Sequence, residues 1–314
     1  MTLTVVGSIN IDHVIRLTQF PRPGETLTGH DYQIVPGGKG ANQAVAAARA
    51  GASTRFIACV GDDALAQSLV AGFAADGINT QAIASISQVN TGVALIQVNS
   101  DGENTIALAA GANAYLTPEQ LAANCEGLAC KQLLLQLEIP LATNIAAASQ
   151  AKAQGARVIL NPAPAQALPE ALLSLVDVIT PNETEAEQLT GIVVSDDKGA
   201  AQAAAALHKK GIATVIITLG ARGVWLSEHG KAGQLISGFN VKAIDTTAAG
   251  DTFNGALLAA LQEQLPLLRA IQFAQAAAAL SVTAQGAQTS IPYQADIQAF
   301  LDTHVCRSPH NGHH

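Results

Sequence analysis

The sequence is short of positive charge, and no part of it is densely basic. Its 16 Lys and Arg residues stand against 24 Asp and Glu residues, which leaves a formal net charge of −8. Such a chain lacks the basic surface with which proteins bind a nucleic-acid backbone non-specifically. We therefore expect no nucleic-acid partner. A small anion is not excluded, because helix-terminal amides and one or two cations are enough to bind it.

Cysteines and long apolar runs are also scarce. The four cysteines, Cys59, Cys125, Cys130 and Cys306, show no CxxC spacing, which is typical of reduced thiols in the cytoplasm. The longest apolar stretches, such as residues 274–282, fall well short of the ~20 residues that cross a bilayer. The N-terminal apolar run has no basic residues before it, unlike a signal peptide. We expect a cytoplasmic protein with no membrane partner.

What the chain does have is a regular alternation of short β-branched runs with alanine-rich helical runs. Hydrophobic residues make up 49% of its 314 positions, enough for one large core. The alternation predicts an α/β fold with a central, mostly parallel sheet and helices on both faces. The predicted strands are 3–7, 54–60, 132–137, 158–161, 176–180, 214–219 and 239–244. The predicted helices are 40–50, 64–76, 141–154, 183–190, 198–210, 251–262 and 267–285.

Two places break this alternation. Strand-like segments 12–18 and 26–35 follow each other without a helix, and so do 91–99 and 105–109. They predict a small antiparallel sheet inserted into the core. Such a sheet cannot bury both of its faces alone and must pack on another part of the protein, so we interpret it as a lid over a cleft. A solvent-facing hairpin is the alternative. The predicted domains are a core of 1–9, 36–88 and 112–305, a lid of 10–35 and 89–111, and a disordered tail of 306–314.

The strongest local signal is the segment DTTAAGDTF at residues 245–253, which precedes an apolar helix. The small residues Ala248, Ala249 and Gly250 leave successive backbone N–H groups unobstructed at a helix N-terminus, where an anion can bind. Asp251 would then lie where a phosphate and an incoming hydroxyl meet, as a proton acceptor. Phosphoryl transfer demands little deprotonation before bond formation, so a carboxylate suffices. The alternative is an ordinary helix cap, since Asp is favoured there.

Two further segments carry polar side chains near glycines. In GGKGANQA, residues 37–44, Lys39 and Asn42 could bind a polar ligand, or the segment could be a tight turn before a helix; the Walker A spacing is absent. In GSINID, Asn10 and Asp12 follow the first strand, at the sheet edge where open α/β folds bind ligands. Their side chains could form hydrogen bonds with adjacent hydroxyls of a polyol, although an Asx turn is the alternative. Glu138, which follows an apolar run, could likewise bind a polyol or have only a structural role.

Residues 180–187, TPNETEAE, favour a capping box with Asn182 at the cap and Glu185 three residues on. The functional alternative has Glu185 facing phosphates and organising Mg²⁺ through water, a metal that loses its waters reluctantly. The segment TLGARG, residues 218–223, is either a turn against a nucleotide or a hairpin turn into the next strand.

Together these segments resemble the ribokinase family of carbohydrate kinases. The resemblance runs from about residue 4 to residue 302 and rests on six motifs in the family's order: GSINID, GGKGANQA, LNPAP, TPNETEAE, TLGARG and DTTAAGDTFNG. It implies an ATP-dependent sugar 5-phosphotransferase acting on D-ribose, with Mg²⁺ and an activating monovalent cation, K⁺. It also implies a homodimer joined through the lids.

The resemblance assigns a role to each matching position. The base is Asp251, and the amides of Ala249 and Gly250 line the anion hole. The sugar is held by Asn10, Asp12, Gly38, Lys39, Asn42, Glu138 and Asp251. The nucleotide lies along Asn182, Thr218, Gly220, Ala221, Gly223, Gly250, Asn254 and Gln275. Glu185 supports Mg²⁺ through water, and K⁺ is bound by Asp245, Thr247, Ser281, Ala284, Gly286 and Ser290. One position departs from the family: Gln275 stands where a His often lies beside the adenine.

Three other functions compete with this interpretation. A kinase of deoxyribose, fructose or adenosine would share the fold. A sugar-binding regulator descended from a kinase would keep the sugar site but lose the base, and Asp251 argues against it. A dinucleotide-dependent oxidoreductase needs GxGxxG after the first strand, where this chain has only Gly7.

Overall fold

The computed structural model describes residues 3–124 and 128–305. Cys125, Cys306 and the predicted disordered tail 306–314 lie outside these residues. The strands are β1 (Leu3–Val6), β2 (Asn10–Arg16), β3 (Asp31–Gly37), β4 (Thr54–Gly61), β5 (Asn79–Ile86), β6 (Gly92–Val98), β7 (Asn104–Ala109), β8 (Gln132–Leu135), β9 (Arg157–Leu160), β10 (Val178–Ile179), β11 (Thr214–Thr218), β12 (Gly223–Glu228) and β13 (Gln234–Ser237). The helices are α1 (Lys39–Arg49), α2 (Ala66–Ala75), α3 (Pro118–Asn124), α4 (Leu141–Ala153), α5 (Glu170–Leu173), α6 (Glu183–Thr190), α7 (Asp197–His208), α8 (Ala249–Gln262), α9 (Leu267–Ser281) and α10 (Gln294–Val305).

The large sheet has the strand order β13-β12-β11-β10-β9-β8-β1-β4-β5. Its strands are parallel from β11 to β5, and β12 and β13 add an antiparallel edge. The predicted mostly parallel sheet is therefore confirmed. Because the carboxyl ends of the parallel strands share one edge, the loops that follow them meet there.

Both faces of this sheet are covered by helices. Successive side chains of a strand point to opposite faces, so Val5 and Leu134 pack with α1, α8 and α9, whereas Val6 and Leu135 pack with α4 and α7. All four of these side chains are fully buried. Burial on both faces explains why the strands are continuous apolar runs rather than alternating ones.

The second sheet has the order β3-β2-β6-β7. The pairs β2–β3 and β6–β7 are antiparallel, as the sequence predicts, but the central pair β2–β6 is parallel. The antiparallel prediction is wrong for this pair. The reason is that β2 continues from β1 and β6 follows β5, which are parallel strands of the large sheet, so both leave it in the same direction.

Other differences concern exposed or short segments. Residues 239–244 were expected to form a strand but do not; most of them are exposed, with Ile244 67% accessible, so they have no sheet face to bury. The strand expected at 176–180 is limited to Val178–Ile179, and the helix expected at 267–285 ends at Ser281. No helix among the described residues is both long enough and apolar enough to span a bilayer.

Candidate functional site

A cavity of about 220 Å³ opens at the carboxyl edge of the large sheet, against the N-terminus of α8. It lies beside the ends of β9, β10 and β11, where the topology brings several loops together. The lining residues are Lys39, Asn161, Ala163, Thr180, Asn182, Glu185, Thr218, Thr246, Ala248, Ala249, Gly250, Asp251 and Asn254.

The first turn of α8 forms one wall of this cavity. The N-cap residue, Ala248, has φ 59° and ψ 13°, a left-handed conformation that residues with a Cβ adopt rarely and that clusters at functional sites. The first N–H groups of a helix have no intrahelical acceptor, and both Ala249 and Gly250 line the cavity. Ala249 N donates to Thr246 O (3.2 Å) in the preceding turn. The helix start expected at this segment is observed, and its role in binding an anion stays a prediction.

Asp251 is buried in this first turn, at the third helical position rather than at the N-cap. Its Oδ2 accepts a hydrogen bond from Asn42 Nδ2 (3.0 Å), and its Oδ1 accepts one from Gln43 Nε2 (2.8 Å). The carboxylate therefore does not cap the helix, which removes the structural alternative. Burial raises the pKa of Asp251, and the Lys39 ammonium and the two amide donors oppose that rise.

The contact between α1 and α8 sets this geometry. A Cβ at Gly255 would lie 2.5 Å from the Cβ of Ala46, so glycine is needed for the two helices to approach this closely. One turn earlier on each helix, the close approach brings Asn42 and Gln43 within hydrogen-bonding distance of Asp251. The position of the carboxylate is thus fixed by helix packing.

The residues predicted to hold a sugar surround the start of β2. Asn10 and Asp12 are the first and third residues of that strand, and both are buried. Gly38 has φ 91°, and a Cβ there would lie 2.7 Å from Asn10 N, so the glycine-rich segment does need its glycine. Glu138 Oε2 accepts hydrogen bonds from Lys39 N (3.0 Å) and from the Ser8 hydroxyl (2.5 Å).

Asp12 carries the clearest sign of a ligand in this region. Its Oδ1 is buried and finds no hydrogen-bond partner within the described part of the chain. Burial raises the pKa of Asp12 to about 7, with further contributions from Glu138 and Asp251 and opposition from Lys39. A buried acceptor without a partner costs free energy, so its chemistry suits a ligand that donates hydroxyl groups.

Lys39 is the cation at the centre of these carboxylates. Burial by itself lowers the pKa of Lys39, but the negative charges of Asp251, Glu138, Glu185 and Asp12 outweigh it, and the pKa lies above its ordinary value. The side chain therefore stays protonated. A permanent positive charge at the cavity wall suits an anionic ligand such as a phosphate.

The expected nucleotide side of the cavity is only partly assembled from the predicted residues. Asn182, Thr218 and Asn254 line the cavity, and Asn182 pairs with Thr218 as an isolated parallel bridge. The Asn254 amide is turned into the protein: Nδ2 donates to Gly250 O (2.8 Å), and Oδ1 accepts from the Thr180 hydroxyl (2.6 Å).

Four other residues that we expected along the nucleotide are not among the residues that line the cavity. Gly220 and Ala221 belong to a 3-10 turn between β11 and β12, and Gly223 is the first residue of β12. This segment is the hairpin turn that the sequence offered as one alternative. Gln275 is buried, and its Nε2 donates to Ile236 O (3.0 Å).

Glu185 takes part in the capping box and also lines the cavity. The capping box is formed: Asn182 Oδ1 accepts from Glu185 N (2.8 Å), and Glu185 Oε2 accepts from Asn182 N (2.9 Å). The same carboxyl group also lines the cavity, and burial raises its pKa. A carboxylate whose orientation is fixed by the helix start is well suited to hold the waters of Mg²⁺.

The residues expected to bind K⁺ come from two neighbouring loops. Asp245 Oδ1 accepts from Thr247 N (2.9 Å) and from the Thr247 hydroxyl (2.6 Å), while Oδ2 accepts from Gly286 N (2.9 Å). Burial raises the pKa of Asp245, but these hydrogen bonds outweigh it and hold the pKa below its ordinary value. Ser281 and Ser290 are buried, each with its hydroxyl donating to a backbone carbonyl three residues earlier. An anionic carboxylate among backbone and hydroxyl oxygens is the donor set that K⁺ would need.

Comparisons with known proteins identify the family of this chain. The model of the pfkB family carbohydrate kinases matches residues 2–294. This chain belongs to the pfkB carbohydrate kinase family. A ribokinase of Haemophilus influenzae is 55% identical over 303 residues, which are 96% of this chain and 98% of that protein.

Solved structures of the pfkB kinases extend the match to the fold. The ribokinase of Thermotoga maritima has a TM-score of 0.87 and 40% identity, over 96% of this chain and 99% of that one. Arabidopsis thaliana ribokinase, solved in complex with ribose and ATP, has a TM-score of 0.87 and 34% identity, over 95% and 98%. The fold expected from the family resemblance is confirmed.

Sequence reasoning missed several residues of this pfkB kinase site. Gln43 contacts Asp251, and Asn113 Nδ2 donates to Asn10 Oδ1 (2.8 Å). Asn161 and Thr180 line the cavity. Asn161 and Thr180 lie within motifs that carry the family resemblance, and Gln43 is the neighbour of Asn42, so those motifs offered a signal. For Asn113 no local pattern existed.

A larger depression of about 350 Å³ lies apart from this site, against α1 and α2. Its charged residues, Arg49 and Asp76, bind each other through two hydrogen bonds of 2.9 and 3.0 Å. Arg49 Nη1 also donates to Gln288 O and Ile291 O. These groups are already satisfied within the protein, so the depression does not offer the convergent polar groups that the smaller cavity does.

Proposed function

We propose that this chain transfers the γ-phosphoryl group of ATP to the 5-hydroxyl of D-ribose, giving ribose 5-phosphate and ADP. The observation that carries the proposal is the place of Asp251. Its buried carboxylate lines the cavity at the N-terminus of α8, and its charge acts on Asp12, whose Oδ1 has no hydrogen-bond partner among the described residues. The names of the similar proteins, and the ribose and ATP in the Arabidopsis complex, support ribose and ATP as the substrates.

In the proposed reaction, Asp251 accepts the proton of the 5-hydroxyl as the oxygen attacks the γ-phosphorus in line. Its raised pKa makes it a better proton acceptor than an ordinary aspartate. The N–H groups of Ala249 and Gly250, with the helix dipole behind them, stabilise the negative charge on the transferring phosphoryl group. Lys39 adds a fixed positive charge at the same wall.

Mg²⁺ fits this site through Glu185. The carboxylate is held at the cavity wall by the capping box, and its remaining lone pairs can bind the waters of the ion. When bound, Mg²⁺ would neutralise charge on the ATP phosphates.

The choice of sugar is proposed to depend on Asn10. Asn113 occupies Asn10 Oδ1, so Nδ2 is the atom of Asn10 that remains for a ligand, and we assign it to the ribose 2-hydroxyl. Loss of such a pairing costs on the order of 1–3 kcal/mol, or roughly 5- to 150-fold in kcat/KM.

We therefore expect ribose to be preferred over 2-deoxyribose, fructose and adenosine when ADP release is measured with each. Asn10→Met should narrow or reverse the preference over 2-deoxyribose, whereas Asn104→Met, on the exposed edge strand β7, should leave it unchanged. Equal kcat/KM values for ribose and 2-deoxyribose in the wild type would show that Asn10 does not bind the 2-hydroxyl. A higher value for another substrate would make that substrate the better assignment.

We propose that K⁺ binds between the loop of Asp245 and the loop of Gly286. The hydrogen bond between these residues joins the two loops, and the first leads directly into the Ala248–Gly250 turn. An ion there would order the amides of the anion site from outside the cavity.

Potassium should therefore raise the rate markedly, and lithium should not. The rate is measured as KCl is titrated at constant ionic strength with excess Mg²⁺. Asp245→Asn should shift the activation to higher KCl. A rate that stays the same from zero to saturating KCl contradicts the proposed site.

The second sheet is proposed to be a lid, built from residues 10–35 and 89–111. Asn10 and Asp12 belong to its strand β2, so the lid would contribute directly to the sugar site. Further along β2, the charge of Arg16 favours the anionic form of Asp245 on the core. Both observations support a sheet that lies over the cleft.

We propose that two chains associate through these lids. Tyr32, Ile34 and Leu95 are about half exposed and lie on one face of the sheet by their register, and Ile106 and Leu108 are equally exposed on the other. A sheet that exposes large apolar side chains on both faces needs a partner to cover them. If two chains packed lid against lid, each lid would cover exposed apolar side chains of the other.

Light scattering should accordingly give twice the mass of the 32.0 kDa chain. Leu95→Glu should shift the mass towards the monomer. Leu268→Glu is the matched control, because Leu268 is an exposed leucine on α9 of the core. A monomeric wild type, or a dimer that Leu95→Glu leaves intact, would contradict the proposed interface.

A cytoplasmic location is proposed as well, because Cys59 and Cys130 are free thiols.

A further inference from the structure

Gln43 is a fully buried side chain on α1 that belongs to none of the roles assigned above. It does not belong to the described cavity lining, yet it touches Asp251 directly. Its Nε2 donates to Asp251 Oδ1 (2.8 Å) and to Asn161 Oδ1 (2.9 Å), and its Oε1 accepts from Gln136 Nε2 (2.6 Å). Gln43 thus joins the proposed base to the buried interior of the protein.

The direction of the Gln43 amide is fixed by its partners. An ionised carboxylate only accepts hydrogen bonds, so the nitrogen must face Asp251. Asn161 donates its own Nδ2 to Thr180 O (3.1 Å), so its Oδ1 is the atom that faces Gln43. These two acceptors are enough to show which end of the Gln43 amide is the nitrogen. The bond from Gln136 is not needed for that assignment.

The consequence is a carboxylate held at both oxygens. Gln43 holds Oδ1 and Asn42 holds Oδ2, so rotation of the carboxyl group would break both bonds. Asn42 is also assigned to the sugar, so its replacement would mix binding with positioning. Gln43 is fully buried and is not among the cavity-lining residues, so its replacement should not remove a direct contact with the sugar.

We infer that Gln43 is a positioning residue for the phosphoryl transfer, which holds the Asp251 carboxylate in the orientation that accepts the hydroxyl proton. The inference rests on the proposed function, because it assumes that Asp251 is the base. A base displaced by about 1 Å can cost on the order of 10²-fold in rate.

Replacement of Gln43 should lower kcat and leave the sugar KM almost unchanged. For Gln43→Met we expect kcat to fall about 10- to 100-fold, with the KM for ribose within about threefold of the wild type. Gln43→Glu keeps the shape of the side chain but turns an acceptor towards Asp251, and it should lose at least as much. It also keeps the experiment informative if the Met variant does not fold.

The pH profile separates positioning from simple packing. The Gln43 hydrogen bond favours the ionised form of Asp251, as does Lys39, whereas the facing carboxylates Glu138, Asp12 and Glu185 disfavour it. Without that bond the pKa of Asp251 rises. Since the base must be ionised, the acid limb of kcat/KM should move to higher pH in Gln43→Met.

Gln136→Met is the matched control. It removes the hydrogen bond at the other end of the same buried amide, and Gln136 makes no hydrogen bond to Asp251 among the described residues. We expect its kcat to stay within about threefold of the wild type and its acid limb to stay in place. Folding of each variant is checked by circular dichroism and urea unfolding.

The measurement is kcat, KM and the pH profile of Gln43→Met, Gln43→Glu, Gln136→Met and Asp251→Asn with ribose and ATP. A lower kcat with an unchanged KM and a shifted limb, in the Gln43 variants alone, supports the inference. Wild-type kcat in the Gln43 variants beside an inactive Asp251→Asn overturns the inference and leaves the proposed function standing. Equal losses in Gln136→Met make the role structural and overturn it too. An active Asp251→Asn overturns the base assignment, and the inference with it.

Discussion

Replacing Asp251 with Asn should lower turnover by roughly 10²- to 10⁴-fold while leaving ribose binding largely intact. The amide keeps the shape of the carboxylate but cannot take the hydroxyl proton. Asn42 and Gln43 donate hydrogen bonds to both carboxylate oxygens, so one donor of the new amide group would face another donor. Some stability should therefore be lost as well, and folding must be checked alongside the rate.

The comparison needs kcat from ADP release and a ribose dissociation constant from calorimetry. Asp101→Asn is a suitable control, because Asp101 is an exposed aspartate in the turn between β6 and β7. A folded Asp251→Asn variant that keeps more than about a tenth of the wild-type kcat would falsify the assignment of the base.

In the wild type, activity should fall at low pH through a pKa above that of an ordinary aspartate, because burial raises the pKa of Asp251.

The second large effect is expected at Gly250, where Ala should lower kcat by roughly 10²-fold without harming the fold. A Cβ at this position meets no described protein atom within 4 Å, and the backbone is not left-handed, so the protein itself does not require glycine. We proposed this open space as the anion site, so a methyl group there should displace the phosphoryl group. In a helical turn, Ala in place of Gly should add about 0.5–1 kcal/mol of stability.

Gly72→Ala is the matched control for this prediction. Gly72 lies within α2, and a Cβ there also meets no described atom within 4 Å. It should gain similar stability in urea unfolding and keep the wild-type kcat. A Gly250→Ala variant with wild-type activity would show that phosphate does not approach this turn.

Much of the fold could be predicted because the buried parallel strands are short continuous apolar runs. Such runs have a strong sequence pattern, and β1, β4 and β8 were found nearly at their observed bounds. The edge strands β5 and β13 were not among the predicted strands of the large sheet, because an edge strand carries mixed side chains. Strand β12 lies between β11 and β13, and the sequence offered it only as the strand after a possible hairpin turn. The β-branched run at 239–244 misled the prediction, because local β propensity cannot supply a neighbouring strand.

Sequence motifs singled out Asp12, Lys39 and Asp251, and the structure brings them close enough for their charges to interact. The contact of Gln43 with Asp251 joins positions 208 residues apart, and that of Asn113 with Ile9 joins positions 104 apart. These contacts depend on how α1 packs against α8 and how the second sheet returns to the core. No local pattern encodes them, so they could be found only in the folded chain.

The central claim is that this protein phosphorylates ribose at its 5-hydroxyl, and identification of the product tests it most directly. Purified protein is incubated with D-ribose, ATP, Mg²⁺ and K⁺, and the product is analysed by phosphorus and carbon NMR. We predict ribose 5-phosphate and ADP in equal amounts, with Asp251→Asn forming both at least about a hundredfold more slowly. A phosphate on another hydroxyl, or ADP formed without a phosphorylated pentose, would contradict it.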